Sequence, residues 1–244
     1  MLVFARVAGI FVSAPVLSDQ RVPMMLKAGC SFLIAVILTP VLTISAVPDA
    51  LIPFAFAAAK ELAVGAALGF IAGMVMGVVQ TAGELADFQA GFGFAGLVDP
   101  TFELPPSIIG RFQYLLAWLV FLGLNGHHFL LSGVADSFRA LPLAVFSINP
   151  ALGDGIFMLA SRLFMVTVKI AAPVMGAVFL ADVAIGMVAR TVPQMNILVL
   201  GFPVKMFVAL VAVAVSVPIF LSVVHGLVGS MRDALGQFLV LSAR

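Results

Sequence analysis

The sequence has few of the residues from which proteins build metal sites, disulfides and polyanion-binding surfaces. Charged residues make up only 9% of the 244 residues, and the formal net charge is +1. A single cysteine excludes an internal disulfide, and three histidines do not make a metal cluster. The small net charge provides no basic surface for nucleic acid. We therefore expect no cofactor, no metal and no nucleic-acid partner.

Tryptophan and tyrosine are almost absent, with one residue of each against 22 phenylalanines. These two residue types normally anchor integral membrane proteins at the membrane–water interface. Because 63% of the residues are hydrophobic, the chain has the composition of an integral membrane protein. The sparse aromatic belt indicates that protein, more than lipid, surrounds it.

Hydrophobic runs divide the chain into about six helical segments, since a spanning helix needs about 20 apolar residues. The predicted segments are 1–17, 24–44, 54–79, 108–131, 156–188 and 197–224. We expect one integral-membrane domain over residues 1–244, with an all-α fold of antiparallel hairpins. Several segments are expected to be kinked or broken, at Pro173, Pro203 and Pro218. Basic residues divide evenly between the two sides of this topology, so the positive-inside rule assigns no orientation.

The largest departure from apolar helix is the stretch 80–112, which carries four carboxylates among glycines, phenylalanines and prolines. Gln80, Glu84, Asp87 and Gly91 recur at helical spacing and predict one polar face. The motif GFGF at 91–94 predicts that the helix ends there, and a new helix is expected to begin near residue 107.

The long irregular loop between the third and fourth segments has two interpretations. Irregular backbone at membrane depth must be buried in protein or line a cavity. The alternative is a loop at the membrane surface with its phenylalanines among the lipid headgroups. The residues alone leave both open.

Glycine recurs every fourth residue in the third segment, at Gly65, Gly69, Gly73 and Gly77. Glycines at this spacing form a smooth ridge against which a neighbouring backbone can pack closely. We expect a tight helix–helix seam here. The ridge predicts packing and not catalysis.

Two charges lie at matching positions in the last hairpin. If the chain turns near residue 193, Asp182 and Lys205 lie at the same height on adjacent helices, which predicts a buried ion pair. The pair either locks the hairpin, the interpretation that we favour, or takes part in a proton relay.

His127 and His128 are adjacent and point in different directions on a helix, so they predict packing rather than metal binding.

Several stretches together resemble the FliR family of the flagellar type III export gate, called SctT in virulence secretion systems. They are RVAGIFVSAP at 6–15, ELAVGAALGF at 61–70, QAGFGFAGLVDP at 89–100, NGH at 125–127 and PQMNILVLGFPVK at 193–205. The match runs through nearly the whole chain in the right order, and the set favours a flagellar over a virulence system.

The resemblance implies a subunit that forms a channel for unfolded flagellar proteins with FliP- and FliQ-like subunits. FlhB- and FlhA-like export proteins are expected nearby, in the bacterial inner membrane at the flagellar basal body. It also implies that the loop 91–100 plugs the resting channel. The expected plug residues are Gly91, Phe92, Gly93, Phe94, Leu97 and Val98.

The alternative is a stand-alone secondary transporter or channel for a small solute, which the prolines of the long segments and the charges at membrane depth favour. No convincing internal repeat supports it. An enzyme is not expected, because no nucleophile–base pair or metal-ligand spacing is present.

Overall fold

The computed structural model describes residues 1–14, 22–42, 50–92, 107–143, 145–146, 150–191 and 197–242. These parts of the chain are helical and contain no strand, so the all-α prediction is confirmed. The helices are α1 (Leu2–Ser13), α2 (Met24–Leu38), α3 (Leu51–Ala90), α4 (Ile108–Gly123), α5 (Gly126–Ala140), α6 (Pro150–Thr191) and α7 (Ile197–Ser242), and a short 3-10 helix (Thr39–Val41) follows α2.

Four helices in the described ranges are long and apolar enough to cross a membrane, namely α2 with its 3-10 extension, α3, α6 and α7. The consecutive helices α4 and α5 are bent by 66° relative to each other and become a fifth crossing if they are one broken span. The break occurs at Asn125, whose φ of 56° is left-handed. The predicted segment 108–131 therefore belongs to two helices, separated at this residue.

The three longest helices exceed the thickness of a bilayer. They contain 40, 42 and 46 residues, which corresponds to about 60–70 Å at 1.5 Å per residue. A hydrocarbon core is only about 30 Å thick. These helices are therefore longer than simple transmembrane spans.

The predicted interruptions at three prolines are wrong. Pro173 lies inside α6, and Pro203 and Pro218 lie inside α7, which is continuous through both. A proline removes one backbone hydrogen bond, and packed neighbouring helices can compensate in membrane-type helices. The sequence pattern overestimated how far a single proline disrupts a helix supported in this way.

The helices contribute to two compact units. The first contains Met1–Met76, Leu124–Ser161 and Leu227–Arg244, and the second contains Gly77–Gly123 and Arg162–Gly226. The core of the second unit is a cluster of small and branched side chains from α3, α4, α6 and α7. Its members are Ala86, Ala90, Ile109, Val174, Val178, Ala209 and Val213.

In the first unit, α1 packs against α3 through glycines. A Cβ atom added at Gly65 would lie 1.9 Å from the carbonyl oxygen of Arg6, and one at Gly69 would lie 2.6 Å from the amide nitrogen of Ala14. Gly9 of α1 is equally close to the α3 backbone. A Cβ at Gly77 would meet no atom of the described residues within 4 Å. Within those residues the close approach to α1 involves Gly65 and Gly69.

Candidate functional site

The candidate site is where α3 ends and α4 begins, at the two sides of the segment 93–106. Helix α3 ends at Ala90 and is followed by Gly91, whose φ is +87°. The amide of Gly91 donates a hydrogen bond to the backbone carbonyl oxygen of Phe88 at 3.3 Å. The amide of Phe92 donates one to the backbone carbonyl oxygen of Asp87 at 3.1 Å. This is a Schellman motif, in which glycine takes the left-handed position. The predicted helix end at Gly91 is confirmed.

A side chain from α7 fills the space beside Gly91. A Cβ atom added at Gly91 would lie 2.6 Å from the ring of Phe202. Glycine is thus required here twice, by its backbone angle and by the adjacent ring. The helix end is fixed in position by packing as well as by hydrogen bonds.

Phe92 is partly buried and packs against the core cluster of the second unit. A residue beyond the predicted helix end would be expected to contribute little to helix packing, but Phe92 does contribute to it. The other plug residues of the sequence prediction, Gly93, Phe94, Leu97 and Val98, lie outside the described residues.

Asp87 crosses from α3 to the first turn of α4. Its carboxylate accepts a hydrogen bond from the Ser107 hydroxyl. It also accepts a hydrogen bond from the backbone amide of Ile109, whose nitrogen lies 3.2 Å from Oδ1 and 3.1 Å from Oδ2. The Ser107 hydroxyl also accepts the amide of Gly110 at 2.8 Å, so Ser107 is the N-cap of α4. The predicted start of a helix near Ser107 is confirmed.

Two glycines allow this crossing to be close. A Cβ atom added at Gly83 of α3 would lie 2.2 Å from the Cα atom of Gly110 of α4. The backbones of the two helices are therefore in contact beside Asp87. Any side chain at Gly83 would push α4 away from the carboxylate.

The ion pair of the last hairpin also belongs to this unit. Lys205 of α7 and Asp182 of α6 form an ion pair, with side chains that are 23% and 36% exposed. The pair is therefore only half-buried, not buried as the sequence suggested. The ammonium nitrogen of Lys205 lies 6.0 Å from the ring centroid of Phe202, the residue that packs against Gly91. Gln89 adds a hydrogen bond from α3 to the carbonyl of Met175, at 3.2 Å.

Sequence reasoning placed Asp87 on a polar helix face together with Glu84, but only one of the two is exposed. Glu84 lies at the surface and accepts a hydrogen bond from Gln80 at 3.0 Å. Asp87 is 5% exposed. No local sequence signal distinguishes them, because the partners of Asp87 lie on the first turn of α4, 20 and 22 residues further along the chain.

No group of three or more potential metal ligands occurs in the part of the chain that the structure describes. The rings of His127 and His128 contact each other, with centroids 4.5 Å apart. In the second unit, Asp87 and Ser107 link α3 to α4, and Gln89 links α3 to α6.

The fold and this site define a class of protein: a membrane protein that is helical throughout its described residues, with helices longer than a bilayer requires. The sequence profile of bacterial export proteins, family 1, matches residues 1–231. The chain belongs to this family.

Its relatives are flagellar biosynthetic proteins named FliR. The FliR of Bacillus subtilis is 35% identical over 248 residues, which cover 99% of this chain and 94% of the relative. The FliR of Escherichia coli is 31% identical over 214 residues, covering 88% of this chain and 82% of the relative. The FliR of Pectobacterium carotovorum is 28% identical, covering 97% and 90%.

Proposed function

We propose that this export protein is the FliR-type subunit of a flagellar type III protein export gate in the bacterial cell membrane. It would assemble with FliP- and FliQ-like subunits into a channel for unfolded flagellar proteins, near FlhB- and FlhA-like proteins. The observation that carries this proposal is the family match through residues 1–231, together with relatives that are FliR proteins over nearly their whole length.

Two physical features support a setting among partner proteins. Helices of 40 residues or more are longer than a bilayer requires. In addition, Lys169 is exposed in the candidate membrane helix α6. A charge at membrane depth needs a polar neighbour, and a partner subunit can supply one.

Within this gate we propose that the segment 91–100 is the plug of the resting channel. The support is the anchoring of its first two residues: Gly91 by the Schellman turn and Phe202, and Phe92 by the core cluster. The side chains proposed to obstruct the channel are then those of Phe94, Leu97 and Val98, with Gly93 between anchor and obstruction. Such a plug excludes water and ions by hydrophobic bulk.

The alternative of a solute transporter loses one of its two supports. That support was helices broken at prolines, and α7 is continuous through Pro203 and Pro218. Half-helix ends are the usual ion and substrate sites of such transporters. The ion pair of Asp182 and Lys205 can lock the hairpin without any solute.

The assembly is tested by expressing the tagged chain alone and together with FliP- and FliQ-like subunits from the same genome. We expect stable, monodisperse material only when all three are expressed together, with both partners co-purifying. Monodisperse chain obtained without partners, with solute uptake after reconstitution into liposomes, would instead establish the transporter. The plug is tested separately, by removing residues 94–98 and measuring ion conductance in cells whose assembled gate is confirmed by pull-down.

A further inference from the structure

We infer that Asp87 is a positioning residue that clamps the two sides of the segment 93–106 together. Its side chain begins on α3, and its hydrogen bonds go to Ser107 and Ile109, 20 and 22 residues further along the chain. The consequence for gating rests on the proposed plug, whereas the clamp itself does not.

The clamp consists of side-chain hydrogen bonds beside a backbone contact. Gly83 and Gly110 bring α3 and α4 together, so that the carboxylate can reach the first turn of α4. The hydroxyl of Ser107 donates to the carboxylate and accepts from Gly110. Asp87 and Ser107 are therefore linked directly, although they are 20 residues apart in the sequence.

A carboxylate suits this position for an electrostatic reason. The first amides of a helix lack partners within the helix, and the helix N-terminus carries a partial positive charge. Asp87 satisfies the Ile109 amide, and Ser107 satisfies that of Gly110. Asp87 forms no ion pair within the described ranges, so these donors and the helix dipole are what compensate its burial there.

The neighbouring anchor makes the clamp effective. Four residues after Asp87 the chain turns at Gly91, where the Phe202 ring prevents displacement, and Phe92 packs into the core. The chain after α3, at Gly91 and Phe92, is therefore held by α7 and the core cluster, while Asp87 holds the start of α4. Loss of the clamp would release the start of α4 without melting the end of α3.

The clamp is tested by a distance measurement in the assembled gate. Spin labels are placed at Phe88 on α3 and Phe112 on α4, which are 82% and 47% exposed, with Cys30→Ser removing the native thiol. With Asp87 present we expect one narrow distance distribution between the labels. Asp87→Ala should at least double its width. Glu84→Ala is the matched control, because it removes an exposed carboxylate one turn away and should leave the distribution unchanged.

A milder variant and a swap cover the case in which Asp87→Ala fails to assemble. Ser107→Ala removes the hydroxyl but leaves the Ile109 contact, and should broaden the distribution to an intermediate width. The double variant Asp87→Ser with Ser107→Asp exchanges acceptor and donor, and should recover a narrower distribution than Asp87→Ser alone. An unchanged width in Ser107→Ala, or no recovery in the swap, would overturn the clamp.

Ion conductance of resting cells, measured on the same variants, separates the clamp from the plug. Broadened distances with a leaking membrane support both. Broadened distances with a tight membrane leave the clamp standing and contradict the plug. An unchanged distribution rejects the clamp whatever the conductance.

Discussion

Arg6 and Glu61 form an ion pair with 2.5 Å between Arg6 Nε and Glu61 Oε2, and neither side chain has any exposed surface. The guanidinium also donates from Nη1 to the carbonyl oxygens of Ser137 at 2.9 Å and Leu141 at 3.0 Å, at the end of α5. Its central carbon lies 4.3 Å from the ring centroid of Phe138. One arginine of α1 thus joins α3 and the last turn of α5 within the first compact unit.

Arg6→Leu should be among the most damaging single changes in this unit. It removes the guanidinium that pairs with the buried Glu61 carboxylate and donates to the carbonyl oxygens of Ser137 and Leu141. Breaking a buried ion pair by removing one partner typically costs about 3–5 kcal/mol. The double variant Arg6→Leu with Glu61→Leu should be less harmful, because the buried negative charge is removed together with the positive one. The measurement is the amount of chain recovered from membranes and its thermal stability in the assembled complex.

The control for this pair is Arg139→Ala. Arg139 forms an exposed ion pair with Asp136, and exposed pairs contribute little to stability. Recovery should match that of the unaltered chain. Equal damage from Arg139→Ala and Arg6→Leu would show that burial of the Arg6 pair has no special importance.

Gly65→Ala should prevent α1 from packing on α3. The new methyl group would lie 1.9 Å from the Arg6 carbonyl oxygen, and backbone on both sides leaves no flexible side chain to move. Overpacking of a core by methyl groups typically costs about 1–3 kcal/mol, and contact with rigid backbone should exceed that range. Affinity pull-down of the partner subunits measures the loss of assembly.

Gly77→Ala is the matched control, on the same helix and in the same glycine repeat. A methyl group there would meet no atom of the described residues within 4 Å, so membrane insertion of the chain should be unaffected. If Gly77→Ala folds but fails in the pull-down, this glycine packs against a partner subunit.

Gly69→Leu and Gly73→Leu should also block assembly, as the glycine ridge predicts, and normal recovery of both would contradict a tight seam.

The ion pair of Lys205 and Asp182 should behave as a coupled but weaker pair than that of Arg6. Asp182→Ala should reduce assembly more than Asp182→Ala combined with Lys205→Ala, because the single change leaves an uncompensated charge on an apolar helix. Partial exposure of both side chains limits the effect. Simple addition of the two single effects would show that the residues are not energetic partners.

Local sequence patterns predicted what depends on neighbouring residues. The helix end at Gly91 follows from glycine's access to positive φ, and the start of α4 follows from a serine after two prolines. The pairing of Asp182 with Lys205 followed from equal distances to a turn. Each of these features involves few residues and a regular repeat, so a single sequence contains the signal.

Contacts between distant segments could not be predicted in this way. Arg6 and Glu61 are 55 residues apart, and the carbonyls at Ser137 and Leu141 are more than 130 residues from Arg6. No periodicity connects them, because the pairing depends on which helices become neighbours. The same holds for Asp87, which looks like Glu84 until the position of α4 is known.

Changing Phe92 or Phe94 to alanine should have different effects, the first on recovery of the gate and the second on its ion conductance. Phe92 is partly buried and packs against the core cluster, so its truncation removes part of the roughly 1.5–3 kcal/mol that full burial of such a side chain contributes. Phe92→Ala should therefore lower the stability and recovery of the assembled gate.

Phe94 is proposed to obstruct the channel, and its truncation should leave recovery unchanged while ion conductance of resting cells rises, because a trimmed hydrophobic constriction readmits water. Conductance is compared at equal amounts of assembled gate, with Phe88→Ala as the control for an exposed phenylalanine on α3. If Phe94→Ala leaves a tight membrane while assembly is intact, Phe94 is not the obstruction, and the plug would have to be formed by Leu97 and Val98, by residues 101–106 or by a partner subunit.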